Sequence, residues 1–142
     1  MLIREVMTEG AECTRPDATL QEAARRMKEL DVGSLPVCEN DRLSGILTDR
    51  DIILRSVAEG RNPAEHRVRD AMTQELFYAF DDQDVDELTQ IMKQRQIRRV
   101  PILNREKRLV GIVSLGDLAV QSENGEAGEA LEEISEPAMP RR

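Results

Sequence analysis

Apolar residues fall at helical spacing twice along this chain and collect in strand-length runs between. Leu20, Ala23, Ala24, Met27 and Leu30 follow one another at steps that place them along one helix. Val85, Leu88, Ile91 and Met92 repeat the pattern. Each run opens on a helix-start signature. Thr19-Leu-Gln-Glu22 reads as a capping box, in which hydroxyl and carboxylate satisfy orphan amides of the first turn, and Asp84-Val-Asp-Glu87 is read the same way. A short strand is expected at residues 12–14. Residues 32–38 and 43–47 flank a polar turn at 39–42 and read as a hairpin, which 97–103, 104–108 and 109–113 repeat. Closing helices start near Asp49 and Leu115, and Gly60 is a natural left-handed cap for the first. Residues 61–67 form a linker, where Pro63 prevents the helix from running on. From Gln121 the pattern dissolves into an acidic, sparsely apolar tail, 121–142, expected to be mobile, with at most a weakly held helix at 130–134.

The elements come twice because the chain is one unit written twice. Gly45-Ile-Leu-Thr-Asp-Arg-Asp51 returns as Gly111-Ile-Val-Ser-Leu-Gly-Asp117. Val6-Met-Thr8 returns as Ala71-Met-Thr73, and Leu35-Pro-Val37 as Val100-Pro-Ile102. Pro36 and Pro101 lie 65 residues apart and Asp51 and Asp117 66, so one residue was gained in the turn between. The expected fold is α/β (α+β): two tandem β-α-β-β-α repeats, 1–60 and 61–120, packed with pseudo-two-fold symmetry. A half that cannot bury its apolar face alone packs on its sibling, and such a seam leaves paired clefts. Function is expected there.

Composition narrows the partners. The 142 residues suffice for one domain with a real core, and with no Trp, one Tyr and two Phe that core must be aliphatic. A net charge of −8 disfavours nucleic acid, whose phosphates need a basic face, and anionic membrane surfaces too. No apolar run approaches a bilayer span and no signal-peptide pattern opens the chain, so a cytoplasmic location is expected. No nucleophile–histidine pair, metal-ligand cluster or phosphate loop ending in Lys is visible, so neither catalysis nor a metal site is expected. His66, the sole histidine, is read as a surface residue of the linker.

Thr48 with Asp51, and Ser114 with Asp117, are the leading binding candidates. A hydroxyl beside the free amides of a helix start suits an anion. An ionised carboxylate one turn in can accept both hydroxyls of a ribose. The same spacing also fits a capping box, and both readings stand. Aspartate has a shorter arm than the Glu22 and Glu87 of the other two boxes, which tilts the choice toward binding. Arg98 and Arg99 precede Pro101 where the first copy has Gly33 and Ser34. The two clefts should therefore differ, one electropositive and one small and neutral. Strand alternation lets only one of the pair point inward, and Arg99 is favoured. Arg50 either supplies phosphate charge or pairs with Asp49 or Asp51. Cys13 and Cys38 fall on strands that a strand–helix–strand crossover makes neighbours. They are too few for a disulfide scaffold, and read either as buried inert thiols or as a redox-sensitive bridge.

Three motifs in the same order, duplicated in register, resemble the cystathionine-β-synthase (CBS) domain over roughly residues 1–120. In its paired form this is the Bateman module, and the chain is similar to the stand-alone, two-repeat bacterial kind that includes the hypoxic response proteins. The resemblance implies a non-catalytic regulatory module that senses energy or stress, built as a disk-like homodimer with an unknown protein partner. It implies adenosine-containing ligands (AMP, ADP, ATP, S-adenosylmethionine, sometimes NAD or cyclic dinucleotides) in the clefts, with no required cofactor. It also implies that Arg98 and Arg99 reach ligand phosphates, a task for which the guanidinium fork is suited. An adenine slot would draw on Cys13, Thr14 and Ile46 in the first copy and Tyr78, Ala79 and Ile112 in the second; the alternative is plain core or strand packing, favoured for Ile46 and Ile112. Tyr78 either stacks on the base or is a half-buried strand residue. The competing reading is a structural homodimer with vestigial clefts, redox-responsive through Cys13 and Cys38.

Overall fold

The structure is a computed structural model and describes residues 1–10, 12–74 and 76–121. Helix α1 (Leu20–Leu30) starts on a closed capping box. Thr19 Oγ1 accepts from the Glu22 amide at 3.1 Å, and Glu22 Oε2 accepts from the Thr19 amide at 3.3 Å. Leu20, Ala23 and Met27 are buried while Ala24 faces solvent. Helix α4 (Val85–Arg95) likewise covers Leu88 and Met92 fully.

The start of α4 departs from expectation. Asp84 accepts from the Asp86 amide at 2.9 Å, but Glu87 does not return to close a box. Its carboxylate takes the Gln83 side-chain amide instead, so a neighbour one turn back has outcompeted the backbone. Asp84 also meets the N-terminal ammonium at 3.3 Å.

Among the described residues are six strands, of which the four longer ones follow the predicted runs within two residues and the two shortest, of two residues each, were not foreseen. The six are β1 (Thr8–Glu9), β2 (Ser34–Glu39), β3 (Arg42–Thr48), β4 (Ala79–Phe80), β5 (Arg99–Leu103) and β6 (Leu109–Ser114). The β2–β3 turn places Asn40 and Asp41 at φ 51° and 66°. Two consecutive positive φ values match the right-handed twist of the strands they join. The strand expected at 12–14 shrinks to one parallel bridge, Thr14 to Val37, held by Thr14 N–H to Pro36 O and Cys38 N–H to Thr14 O, both 2.9 Å.

Helix α2 (Asp49–Ile52) continues as a turn of π-helix, Ile53–Val57, and Gly60 takes its left-handed φ of 73° three residues later. The linker is not all surface. His66 is 8% exposed, a correction to its reading as a surface residue. Its carbonyl accepts from the first amide of α1, Leu20 N–H, at 2.9 Å, which pulls the linker under the helix start. A short unforeseen helix, α3 (Val68–Ala71), follows with Val68 and Ala71 fully buried. Among the described residues between it and α4, β4 is the one regular element. Helix α5 (Leu115–Gln121) closes the described chain, and the expectations for 122–142, the helix at 130–134 included, lie outside the described residues.

Two compact units emerge, and they do not coincide with the sequence repeats. One comprises Met1–Ala11, Phe77–Glu106 and Val110–Arg142, the other Glu12–Leu76 with Lys107–Leu109. In the former the strand order is β1-β6-β5-β4, with Thr8 antiparallel to Ile112 and Ala79 parallel to Ile102. Ile3, Leu88, Met92, Val100, Ile102 and Val113 form its core. The latter holds the β2–β3 hairpin, with Thr73 bridged antiparallel to Ile46 on one side and Thr14 parallel to Val37 on the other. Leu20, Leu35, Val37, Leu47 and Val68 fill that core. The strand order is the same in both.

The segments that lead into each repeat have therefore changed places. Val6-Met7-Thr8, from the first repeat, lies along β6 of the second. Ala71-Met72-Thr73, from the second, lies along β3 of the first, with Ile46 N–H to Thr73 O at 3.0 Å and Thr73 N–H to Ile46 O at 2.8 Å. This exchange explains the glycine that opens each motif. A Cβ on Gly45 would stand 2.8 Å from Thr73 O, and one on Gly111 2.8 Å from Thr8 O. Only glycine lets the backbones approach so closely.

Candidate functional site

The two motif aspartates sit at the starts of α2 and α5. Thr48 Oγ1 accepts from the Asp51 amide and Asp51 Oδ2 accepts from the Thr48 amide, both at 3.0 Å. Ser114 Oγ accepts from the Asp117 amide at 3.1 Å, and Asp117 Oδ2 from the Ser114 amide at 2.9 Å. Both are complete reciprocal boxes. The argument that aspartate reaches back poorly is thereby corrected. The Ser/Thr-x-x-Asp pairs close, whereas the Asp84–Glu87 pair does not. Every named position of the Gly-x-x-Thr/Ser-x-x-Asp motif thus has a folding reason.

The aspartates differ in what else they hold. The Thr73 hydroxyl donates to Asp51 at 3.4–3.5 Å, and the Arg55 guanidinium stands 4.0 Å from Asp51 Oδ1. Arg55 also donates to the carbonyls of Ala71 and Met72 at 2.9 and 3.1 Å, clamping the lead-in segment to α2. Neither Thr73 nor Arg55 was singled out from sequence. Arg55 lies four residues after Asp51, on the same helix face, and that spacing was the available signal. Beyond its box, Asp117 has no further side-chain partner among the described residues.

Arg98 and Arg99 are both exposed. Strand β5 begins at Arg99, so alternation does not choose between them. The Arg98 carbonyl accepts from the Leu115 amide at 2.7 Å, which brings this basic pair to the end of the unit where Ser114 and Asp117 stand. In the other unit Gly33 O accepts from the Asp49 amide at 2.9 Å in the equivalent way. There the Asp49 carboxylate lies over the glycine, 3.1 Å from where a Cβ would be. That corner is acidic rather than neutral, because Asp49 takes the place of Leu115. Arg50 is exposed and forms no ion pair with Asp49 or Asp51 among the described residues.

The aromatic-slot candidates divide. Thr14, Ala79 and Ile46 are buried, and the Ala79 side chain belongs to the core. Ile112 is half-buried. Tyr78 is half-buried too, its ring edge-on to Phe80 at 5.5 Å, and Arg105 covers Phe80 at 4.1 Å.

Cys13 and Cys38 are free thiols, Cys38 buried and Cys13 half-buried, and each shifts the titration of the other. Hydrogen bonding from the Cys38 thiol outweighs burial and the nearby Asp41 and Glu12 carboxylates and draws Cys13 down to about 7, while interaction with Cys13 and burial push Cys38 upward.

A model of the CBS domain matches residues 3–58 and 68–123. The chain belongs to the CBS-domain family. CBS-domain pairs are regulatory modules and in general not catalysts. This CBS pair is similar to CBS domain-containing protein YhcV of Bacillus subtilis, at 45% identity over 134 residues that cover 94% of each chain. It is 38% identical over 117 residues to hypoxic response protein 1 of Mycobacterium tuberculosis, covering 82% of this chain and 81% of that one. The solved structure of Hypoxic Response Protein I, which carries two coordinated zinc ions, matches with a TM-score of 0.79 at 36% identity over 86% and 99% of the chains. The CBS domain pair of protein MJ0100, solved with 5-methylthioadenosine and S-adenosyl-L-methionine, shares the fold at a TM-score of 0.73 and 24% identity, over 85% and 94%. The expected pair of CBS domains and the α+β fold are both found. Among the described residues no group of three or more His, Cys, Asp or Glu side chains is placed to hold a metal ion, and no helix is long and apolar enough to cross a membrane.

Proposed function

We propose that this CBS protein is a regulatory module that binds an adenosine-containing ligand, such as AMP, ADP, ATP or S-adenosylmethionine, in clefts between its repeats. The observation that carries this reading is the meeting of exposed Arg98 and Arg99 with Ser114 and Asp117 at one end of a unit. Arginine suits a phosphate, and the uncommitted Asp117 oxygen suits a ribose hydroxyl. The ligand found with the CBS pair of protein MJ0100 is of the same class. The acidic corner at Gly33 and Asp49 favours an uncharged or cationic group, so the two sites should take different ligands or only one should fill. Ile53, Leu54 and Val57, all exposed on the π-helical turn, supply an apolar face for a homodimer. A cytoplasmic location accords with this role.

A thermal-shift series with AMP, ADP, ATP, S-adenosylmethionine and NAD tests it. A ligand at a hundredfold excess over Kd stabilises by about 2.7 kcal/mol, a rise in Tm of several degrees. Asp117→Asn keeps an acceptor for the Ser114 amide but removes the charge, and should abolish the shift, as should Arg99→Ala for phosphorylated ligands. No response from any compound would sink the proposal.

A second reading has its own observation. Because the capping boxes and the exchanged lead-in segments account for the whole motif, the module could serve as a structural homodimer with vestigial clefts. A silent nucleotide series, together with partner capture lost on removing residues 122–142, would favour it.

A further inference from the structure

Beside the two cysteines lies a cavity of about 520 Å³, within the range of small-molecule sites. Arg15 and Arg69 line it together with Asp17, Glu39 and Asp41, and Cys13 and Cys38 both belong to the lining. Arg69 is anchored through its amide, which donates to Pro16 O at 3.0 Å, and Arg15 pairs with Asp17 at 3.4 Å. The walls therefore offer cations and carboxylates around a sulfur pair. Such a lining complements a zwitterion, whose carboxylates meet the guanidiniums and whose ammonium meets the aspartates.

We propose that this cavity is a thiol–disulfide exchange site, in which a small zwitterionic disulfide such as oxidised glutathione docks and oxidises the Cys13–Cys38 pair. The proposal stands whether or not the nucleotide reading holds. Cys13 is the attacking sulfur because it is the half-buried member of the pair, while Cys38 is buried. Its thiolate attacks one sulfur of the disulfide, forming a mixed disulfide and expelling one small thiolate. Cys38 then loses its proton to solvent or to the departing thiolate and attacks the Cys13 sulfur. The Cys13–Cys38 bond forms, and the second small thiolate leaves. The protein loses two electrons and two protons, and the small disulfide becomes two thiols. The bridge would tie residue 13 to β2 beside the Thr14–Val37 bridge, the sole ladder contact described for that segment.

The full-length protein, first reduced, is exposed separately to oxidised glutathione and to the neutral bis(2-hydroxyethyl) disulfide, and followed by intact-mass spectrometry. The wild type should lose about two mass units, the two thiol hydrogens. Cys38→Ser should stop at one glutathionyl adduct on Cys13, and Cys13→Ser should form none. The paired change Arg15→Glu with Arg69→Glu should slow the glutathione reaction on the order of tenfold while leaving the neutral reagent unaffected. Iodoacetamide labelling of Cys13 in Cys38→Ser should rise with pH through about 7, and Cys38→Ala, lacking a donor, should move that midpoint upward. Circular dichroism confirms that each variant is folded. An adduct on Cys38 instead of Cys13, or equal rates for both reagents with and without the two arginines, would overturn the proposal.

Discussion

Two helix starts carry the same motif and bear different loads. At α2, Asp51 closes its box and also holds the Thr73 hydroxyl and faces Arg55. At α5, Asp117 closes its box alone among the described residues, with Arg98 and Arg99 nearby. Duplication supplied both sites with one set of parts. The first has turned its carboxylate to fastening an exchanged segment, while the second has an acceptor oxygen left over. A repeated motif is therefore weak proof of binding until its competing bonds are counted.

The contrast can be pressed at three depths. The largest effects lie beneath the helices. Leu20→Ala and Leu88→Ala each empty a fully covered site in its own unit and should cost about 2–5 kcal/mol in urea melts. Hydrogen exchange should show each loss concentrated in the unit that carries it. Next come the motif glycines. Gly45→Ala and Gly111→Ala force a methyl against backbone oxygen and should each cost about 1–3 kcal/mol. Gly116→Ala meets nothing nearer than 3.6 Å and should be neutral or stabilising. Equal tolerance at all three would mean that the exchanged segments are not held as described. The smallest effect is the most diagnostic. Asp117→Ala should cost about 1 kcal/mol, the worth of a cap, and Asp51→Ala measurably more because Thr73 and Arg55 lose their acceptor too. Equal losses in thermal denaturation would erase the distinction between the two sites.

Much of this was legible in the chain. Leu20, Ala23 and Met27, with Leu88 and Met92, announce two helices because burial imposes a period near 3.6 over several turns. The hairpins are equally plain, since Pro36 and Pro101 sit in matched apolar runs. The exchange of lead-in segments was not legible. Thr8 and Thr73 join their sheets through two residues and one, and so little pairing leaves no local periodicity. His66 was misplaced because its burial depends on a tertiary bond to Leu20. The site divides in the same manner: Ser114 and Asp117 follow from the repeat, whereas the Thr73 and Arg55 bonds to Asp51 arise only once β3 has received a strand from further along.

That exchange also sets an order of events on the ribosome. Residues 1–10 emerge before the rest of the described chain, yet the strand they join, β6, is nearly the last described element to be made. Most of the other unit, Glu12–Leu76, can begin to settle once Thr73 clears the exit tunnel, with only Lys107–Leu109 still to come. The amino terminus must meanwhile wait, with Ile3 uncovered, until some hundred residues more have been translated. A chain cut at the midpoint between repeats would strand both partners: one half would keep an orphaned first strand, and the other would lack it.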